Sequence, residues 1–262
     1  MLLLVYADLT SDNKVRYYIT PSQNMSCPED SCLTLSQFAA NSSSYLDNKT
    51  DISLFFLPGN HSLNIELSLA YAHISVTNDG QGSGTVFIEC VSQSGRFNIS
   101  ETAFASIKGL HLIGCGGNTV TQVDQFILED IIFQKVENKG TVLILTVVAA
   151  ASIVNSLFLS NSVSTSQSSI DITNSSFTYN SETYGGVMYT SESSFSITNC
   201  IFTNNSATYG GVIYTTKSSF NVISSTFTNN SASDSGVIPS LTNKSVAVGG
   251  VLYTSECHNS DC

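Results

Sequence analysis

Two stretches of the chain, Phe177–Val187 (FTYNSETYGGV) and Phe202–Val212 (FTNNSATYGGV), have nearly the same sequence and lie 25 residues apart. The same spacing recurs at neighbouring positions. It relates Phe202 to Phe227, Ile170 to Phe195 and Phe220, and Ile172 to Ile197 and Val222. So many positions in one register indicate an internal structural repeat.

Apolar residues within each repeat alternate with polar ones, as in Phe195-Ser196-Ile197, which is typical of a β-strand. One coil cannot bury its own apolar face. Stacked coils pair each strand in parallel with its neighbours and place Phe on Phe inside a tube. A helical repeat needs a different apolar spacing, and a propeller blade is longer. We therefore predict an all-β fold, a right-handed, single-stranded parallel β-helix (solenoid) of about eight coils of about 25 residues.

The repeated polar residues have structural explanations. Gly185-Gly186 suits a corner where the backbone needs angles that a Cβ disfavours. Asn180, Asn205 and Asn230 are expected to take left-handed turns and to hydrogen-bond their stacked copies. The positions predicted to have this structural role are Phe158, Asn161, Phe177, Asn180, Gly185, Gly186, Phe202, Asn205, Gly210, Gly211, Phe227, Asn230, Gly249 and Gly250.

The motifs F-x-x-N and G-G-[VIL] at these positions resemble the repeats of the polymorphic outer-membrane proteins, which are bacterial surface autotransporters and adhesins. They are also similar to repeats in eukaryotic β-helix proteins of the pectin-lyase-like superfold. The resemblance covers about residues 155–255 and implies a fold more strongly than a function. No autotransporter membrane barrel follows the repeats in this sequence.

Three segments are expected along the chain. Residues 1–50, which include a strand over Val15–Thr20 and a short helix over Leu33–Phe38, form an N-terminal segment and cap with a disulfide loop. Residues 51–256 form the β-helix, and residues 257–262 form a truncated tail. Because a new coil opens at Gly249 shortly before Cys262, we expect a fragment of a larger protein with missing C-terminal domains.

The most apolar stretch, residues 141–154 (TVLILTVVAAASIV), is too short to span a bilayer as a helix. Its β-branched residues and its place in the repeat predict core strands, so no transmembrane segment is expected. The net charge is −11, with 11% charged residues. That balance excludes a general nucleic-acid binder, which needs a basic face.

The seven cysteines favour disulfides over zinc, because the C-x2-C pairs of zinc sites are missing. Cys27 and Cys32 are separated by four residues, as are Cys257 and Cys262. Cys90 and Cys115 lie one coil apart, and Cys200 is left over. Nine Asn-x-Ser/Thr sequons, a mild excess over chance, are glycosylation candidates: Asn24, Asn41, Asn48, Asn60, Asn98, Asn174, Asn204, Asn229 and Asn243. Together they predict an extracellular or cell-surface location.

Two functions remain open. The scattered acidic residues favour a noncatalytic domain for adhesion, recognition or structural support, with glycans or cell-surface proteins as partners and with no catalytic residue, metal or cofactor. The alternative is a carbohydrate-active enzyme of the pectin-lyase superfold, a polysaccharide lyase or glycoside hydrolase. A cleft lined by two or three carboxylates from adjacent coils would favour the enzyme, and the absence of any face with two carboxylates within about 10 Å beside a basic residue would exclude it. Glu129-Asp130 is the acidic pair within the coils, and we expect it to face solvent.

Overall fold

The computed structural model describes residues 14–22, 32–47, 49–78, 84–92, 94–134 and 141–234, and the backbone of residues 252–255. These residues form an all-β parallel solenoid of about seven turns. The predicted fold class is confirmed, and the number of turns is close to the predicted eight. Gly249 and Gly250 lie outside the described residues.

The first elements combine strands with two short helices. They are β1 (Lys14–Thr20), β2 (Leu33–Thr34), α1 (Leu35–Ala40), α2 (Ser42–Leu46), β3 (Asp51–Phe56), β4 (Gly59–Leu63), β5 (Glu66–Ala70) and β6 (His73–Asn78). The predicted strand at Val15–Thr20 is confirmed as β1, which pairs in parallel with β3 and so extends the main sheet. The boundary predicted between cap and solenoid at residue 50 stays a prediction.

Helix α1 confirms the short helix predicted near Leu33–Phe38. The Thr34 hydroxyl accepts a hydrogen bond from the Gln37 backbone N–H, and the Gln37 side chain accepts one from the Thr34 N–H. This capping box satisfies two helix-end donors. The helix buries Leu35 and Phe38, and the Phe38 ring lies 5.1 Å from that of Tyr17 in β1.

The middle of the chain contains long strands that bend part way along. The elements here are β7 (Val86–Cys90), β8 (Arg96–Lys108), β9 (Leu110–Ile113), β10 (Asn118–Glu129), β11 (Ile132–Gln134), β12 (Thr141–Val154) and β13 (Leu157–Leu159). The apolar stretch 141–154 is therefore a core strand, as predicted.

The later coils are built from shorter strands. They are β14 (Ser162–Ser166), β15 (Ser169–Thr173), β16 (Ser176–Thr178), β17 (Ser181–Tyr184), β18 (Met188–Ser191), β19 (Ser194–Thr198), β20 (Ile201–Thr203), β21 (Ser206–Tyr209), β22 (Ile213–Thr216), β23 (Ser219–Ile223), β24 (Thr226–Thr228), β25 (Ser231–Asp234) and β26 (Leu252–Ser255).

Strand pairing among the described residues gives three parallel sheets. The largest has 15 strands and includes β8, β10 and β12; the second has eight strands, from β4 to β24; the third contains only β17, β21 and β25. The 25-residue register is kept in the ladders, as in Phe195 opposite Phe220 and Ile197 opposite Val222.

A column of phenylalanine rings fills the tube behind the eight-stranded sheet. The column runs through Phe133, Phe158, Phe177, Phe202 and Phe227, with successive ring centroids 4.7 to 5.0 Å apart. These rings are buried. The predicted stacking of Phe on Phe is therefore confirmed, and each added coil removes another ring from water.

One coil is shorter than the others. Asn161 and Asn180 are stacked equivalents only 19 residues apart, whereas Asn180 and Asn205 are 25 apart. The difference lies just after the asparagine: Val163 and Met188 are paired in the sheet, yet Val163 follows Asn161 by two residues and Met188 follows Asn180 by eight. The extra six residues of the later coils form β17 and β21, and thus create the third sheet.

Left-handed backbone conformations at residues other than glycine mark three corners in each later coil. They occur at Lys217, Ser224 and Asn229, for example, where φ is +48°, +49° and +53°. The expectation that Asn205 itself takes a left-handed turn is wrong: Asn204, one residue earlier, has φ +56°. The reason is geometric, since the left-handed residue turns the chain and the next side chain points into the tube.

The inward asparagines form a continuous hydrogen-bonded ladder. The Asn205 Oδ1 accepts hydrogen bonds from the backbone N–H of Asn180 at 2.9 Å and from its Nδ2 at 2.8 Å. Its own Nδ2 donates to Asn230 Oδ1 and to the Phe177 carbonyl. The predicted bonding between stacked asparagines is therefore confirmed.

The other two corners use serine in the same way. Ser168 N–H donates to Ser193 Oγ and Ser193 N–H donates to Ser218 Oγ, at 3.2 and 3.0 Å. At the remaining corner Ser156 N–H donates to Ser175 Oγ. Each serine hydroxyl in turn donates to the carbonyl two residues before it.

Cys200, the cysteine left without a predicted partner, lies at the same corner as Ser156 and Ser175, at a position that is serine in the neighbouring coils. It is buried and free, its N–H donates to Ser225 Oγ, and its sulfur accepts the Ser175 N–H. Burial raises the pKa of the thiol, so it stays protonated and donates weakly to the Thr198 carbonyl. Its position explains why an unpaired cysteine is tolerated here.

We expect the Asn205→Ala substitution to lower the free energy of unfolding by about 2–4 kcal/mol, because it orphans the buried Asn180 N–H and the Phe177 carbonyl. Urea unfolding monitored by circular dichroism measures the change. Asn221→Ala, on the exposed face of β23, is the matched control and should cost less than about 0.5 kcal/mol. Equal losses in both variants would contradict the ladder's role.

The Cys200→Ser and Cys200→Ala substitutions should have different effects on the free energy of unfolding. Serine restores the hydroxyl found elsewhere in the column, so Cys200→Ser should be no less stable than the parent chain. Alanine removes the acceptor of the Ser175 N–H and should cost about 1–3 kcal/mol. Thermal unfolding under reducing conditions compares the two, and a Ser variant weaker than the Ala variant would refute the assignment.

Candidate functional site

Four tyrosines gather where the six-residue insertion meets the main sheet; we call them the tyrosine cluster. Tyr184 and Tyr209 end the inserted strands β17 and β21, and Tyr189 and Tyr214 lie in β18 and β22 of the main sheet. Without the inserted strands, Tyr184 and Tyr209 would have no place on this surface.

The rings form two parallel pairs set at a steep angle to each other. Tyr184 and Tyr209 have centroids 5.3 Å apart and planes 13° apart, and Tyr189 and Tyr214 have centroids 5.6 Å apart and planes 10° apart. Tyr184 meets Tyr214 edge to face, with centroids 5.1 Å apart. Tyr184 is 48% exposed and the other three rings are half-buried.

Gly185 and Gly186 make the sharp corner between the two pairs. Gly185 has φ +61°, and a Cβ there would lie 1.9 Å from the Met188 carbonyl oxygen. A Cβ on Gly186 would lie 2.4 Å from the Gly211 carbonyl oxygen. The predicted corner role of this pair is therefore confirmed by close backbone approach as well as by conformation.

An open groove of about 460 Å³ crosses the inserted strands β17, β21 and β25, and its lining residues directly precede Tyr184 and Tyr209 of the tyrosine cluster. Its walls are mostly small hydroxyl side chains. The lining residues are Ser181, Glu182, Thr183, Ser206, Ala207, Thr208 and Ser233. Glu182 Oε1 accepts a hydrogen bond from Ser162 Oγ at 3.2 Å, which orients the one carboxylate in the groove lining.

Few charges surround this surface. Between residues 141 and 234 the sequence contains one basic residue, Lys217, and four acidic ones. Lys217 Nζ lies 3.9 Å from the Glu192 carboxylate. The outer surface of the later coils is therefore polar, weakly acidic and rich in hydroxyl groups.

The acidic pair Glu129-Asp130 lies in an earlier coil. Lys108 Nζ lies 2.9 Å from Glu129 Oε1 and 3.9 Å from Asp130 Oδ2, so the two carboxylates are no more than about 7 Å apart. All three side chains are one-third to one-half exposed, as expected for a solvent-facing pair. The hydrogen bond to Glu129 raises the pKa of Lys108, which keeps the lysine a cation and unsuited to act as a base.

The sequons occupy different environments. Asn60, Asn174 and Asn229 are exposed, and Asn204 is half-buried at a corner. Asn41 is exposed, but its Nδ2 donates to the Gln37 carbonyl. Asn24, Asn48 and Asn243 lie outside the described residues.

Asn98 is the sequon asparagine with the most hydrogen bonds from its side chain. Its Nδ2 donates to Glu66 Oε1 at 2.8 Å, and its Oδ1 accepts from Thr119. The hydrogen bond from Asn98, and secondly that from Arg96, lower the pKa of Glu66. Arg96 also contacts the same carboxylate through two nitrogens, at 2.6 and 2.7 Å.

The cysteines follow the predicted pattern where the structure describes them. Cys90 and Cys115 form a disulfide, with an S–S distance of 2.06 Å and a Cα–Cα distance of 5.0 Å. Cys32 is also disulfide-bonded. Cys27, Cys257 and Cys262 lie outside the described residues, so their predicted pairings stay predictions.

Within the described part of the chain, no group of three or more His, Cys, Asp or Glu side chains is placed to hold a metal ion. The helices described there are also too short to cross a membrane. Comparisons with protein-family models, curated proteins and solved structures find no match. The structure thus shows a parallel β-solenoid. Its function must be inferred from the side chains on its outer face.

Sequence reasoning assigned the Tyr-Gly-Gly-Val motif to the corner alone and missed the tyrosine cluster. The signal was present, because Tyr184 recurs at Tyr209 and Tyr189 recurs at Tyr214. Recognising a shared surface required knowing that both columns point outward and meet around one corner.

His61 is a buried histidine next to the first core strands. Its Nε2 lies 2.8 Å from the Leu57 carbonyl oxygen, which can only accept, so Nε2 carries the proton. Its Nδ1 has no hydrogen-bond partner among the described residues, and the ring packs edge-on against Phe56. Burial lowers the pKa of His61, so the folded chain holds a neutral imidazole.

Folding should therefore become less stable in mild acid. Above pH 6.5 His61 is neutral in both states; below it the unfolded chain binds a proton that the folded chain excludes. The free energy of unfolding should fall by up to about 1.4 kcal/mol per pH unit until the lowered folded pKa is reached.

Urea unfolding at pH 7.5 and 5.5 tests this, using His61→Gln to remove the titration and His111→Gln on the outer face as the control. The drop in the free energy of unfolding between pH 7.5 and pH 5.5 should be smaller in His61→Gln than in the parent chain, and it should persist in His111→Gln. An unchanged loss in His61→Gln would contradict the assignment.

Proposed function

We propose that this chain is a noncatalytic recognition module of an extracellular or cell-surface protein, in which a rigid β-solenoid presents an outer face to a partner. The observation that carries the proposal is the tyrosine cluster and groove on that face. Exposed aromatic rings beside small polar groups are typical of binding surfaces, since a ring adds contact area at little entropic cost.

The sequence motifs support the same role. The F-x-x-N and G-G-[VIL] repeats resemble those of polymorphic outer-membrane proteins and of β-helix proteins in the pectin-lyase-like superfold. In this chain the phenylalanine and asparagine of F-x-x-N form the inner columns. The motif thus serves folding, and the outer face is left to vary with the partner.

An extracellular location fits the covalent chemistry. The Cys90–Cys115 disulfide joins adjacent coils, and such bonds persist in oxidising compartments. The exposed sequons at Asn60, Asn174 and Asn229 offer sites for N-linked glycans. Partners in that setting are glycans or cell-surface proteins.

One observation favours a second candidate, a carbohydrate-active enzyme. Glu129 and Asp130 lie beside Lys108 at a separation compatible with paired-carboxylate hydrolysis. Against it, the pair sits at the end of a strand in a surface ion pair, and the open groove lies in later coils. We therefore retain the noncatalytic module as the proposed function.

The deciding experiment measures binding and turnover in the same preparation. The purified chain is applied to an array carrying neutral polysaccharides, polygalacturonate and extracellular-matrix proteins, and each soluble substrate is also assayed for new reducing ends and unsaturated products. We expect saturable binding to at least one array component and no product above a heat-denatured control.

Turnover that Glu129→Gln abolishes, while leaving the unfolding transition intact, would establish the enzyme instead. Saturable binding without turnover supports the module. Neither binding nor turnover from a folded preparation would overturn both recognition and catalysis, and would leave a structural stalk.

A further inference from the structure

The tyrosine cluster combines two kinds of chemistry in one place. A tyrosine ring offers an apolar face and edge, and its hydroxyl both donates and accepts hydrogen bonds. Sugars match this combination, because each pyranose has an apolar patch of C–H groups and a rim of hydroxyls. Tyr184 is the most exposed ring, and its edge-to-face contact with Tyr214 holds it in place.

The adjoining groove supplies the polar partners that a sugar needs. Ser181, Thr183, Ser206 and Thr208 provide hydroxyl groups along two neighbouring strands. Glu182 adds a carboxylate, a strong acceptor for sugar hydroxyls, that Ser162 already orients. The groove and the cluster share strands β17 and β21, because Tyr184 and Tyr209 directly follow the groove residues Thr183 and Thr208.

The charges around the groove decide whether it suits a neutral or an acidic glycan. Acidic glycans and nucleic acids need cations, yet between residues 141 and 234 the only basic residue is Lys217, which lies beside Glu192. Glu182 in the groove lining would repel a uronate or sulfate group. The groove therefore suits an uncharged ligand better than an anionic one.

The tyrosine column also extends along the solenoid axis. Backbone pairing places Tyr253 in register with Tyr214, as Tyr214 is with Tyr189. Ser191 and Thr216 occupy the adjacent outward positions of the same strands. At these main-sheet positions successive coils carry the same residue types, which fits a linear polymer of repeated units, whereas in the inserted strands Asp234 takes the position of Tyr209.

We infer that the tyrosine cluster and the adjoining groove bind a neutral glycan chain along the solenoid axis. This inference rests on the proposed recognition function and names its ligand class. The rings contact the C–H faces of the sugars, and Glu182 with the groove hydroxyls bonds their hydroxyl groups.

The probes are cellohexaose, laminarihexaose and mannohexaose as neutral glycans, with hexagalacturonate as the acidic comparison. Because the chain lacks tryptophan, a change in its tyrosine fluorescence can follow binding, and calorimetry supplies the affinity. We expect at least one neutral hexasaccharide to bind and hexagalacturonate to bind at least tenfold more weakly.

Three variants separate binding from folding. Tyr184→Ala combined with Tyr214→Ala should weaken binding at least tenfold. Tyr184→Phe combined with Tyr189→Phe keeps the ring stacks and removes two hydroxyls, so it should lose less affinity than the Ala pair and keep the parent unfolding midpoint. Tyr179→Ala, a 63% exposed ring at the asparagine corner, is the matched control and should change affinity less than twofold.

Stronger binding of hexagalacturonate, or neutral binding that survives the Ala pair, would overturn the inference. If no neutral hexasaccharide binds but the chain still binds an extracellular-matrix protein on the array, the glycan assignment fails and the recognition function stands. If the folded chain binds nothing on the array, both fail.

Discussion

The hydrogen bond from a backbone N–H just inside each corner to a side-chain oxygen one coil further along is the interaction on which the solenoid depends. A left-handed residue interrupts the ladder, and the next N–H turns inward. Without a side-chain acceptor, each coil would bury such donors unpaired, at about 1–3 kcal/mol apiece. Serine at two corners and asparagine at the third supply the oxygen. The Ser/Asn-rich composition of the later coils is thus partly a requirement of the core.

This constraint also decides where the coil can change length. From the main-sheet strand at Met188 to the asparagine at Asn205, the chain is held by ladders and by core packing. The segment between the asparagine and the main sheet is different, because the paired main-sheet residue follows the asparagine by two positions in one coil and by eight in the next. The inserted strands pair only with each other, in a three-stranded sheet. The solenoid can therefore gain a binding face there without disturbing its Phe and Asn columns.

The sequence was sufficient for features that repeat inside the tube. The phenylalanine column, the parallel register and the Cys90–Cys115 bridge all follow from a 25-residue spacing and the need to bury apolar groups. The corners could not be assigned to the correct residue, because Tyr179, Glu192 and Lys217 lack the usual left-handed preference. The tyrosine cluster could not be predicted from the sequence either, because it forms where two outward columns meet around a glycine corner.

The outward tyrosines and the inward phenylalanines recur from coil to coil for different physical reasons. An inward phenylalanine is required by its stacked neighbours, whereas outward positions of the same coils vary freely: Glu182 is replaced by Ala207, and Ile201 by Thr226. Against that variation Tyr189 and Tyr214 are identical, and Tyr184 recurs at Tyr209 before the column changes to Asp234. Ring stacking contributes some stability to these pairs. Phenylalanine would stack as well, so stacking alone does not explain a hydroxyl on every ring. A hydroxyl on every ring leaves the cluster able to donate and accept hydrogen bonds as well as to stack.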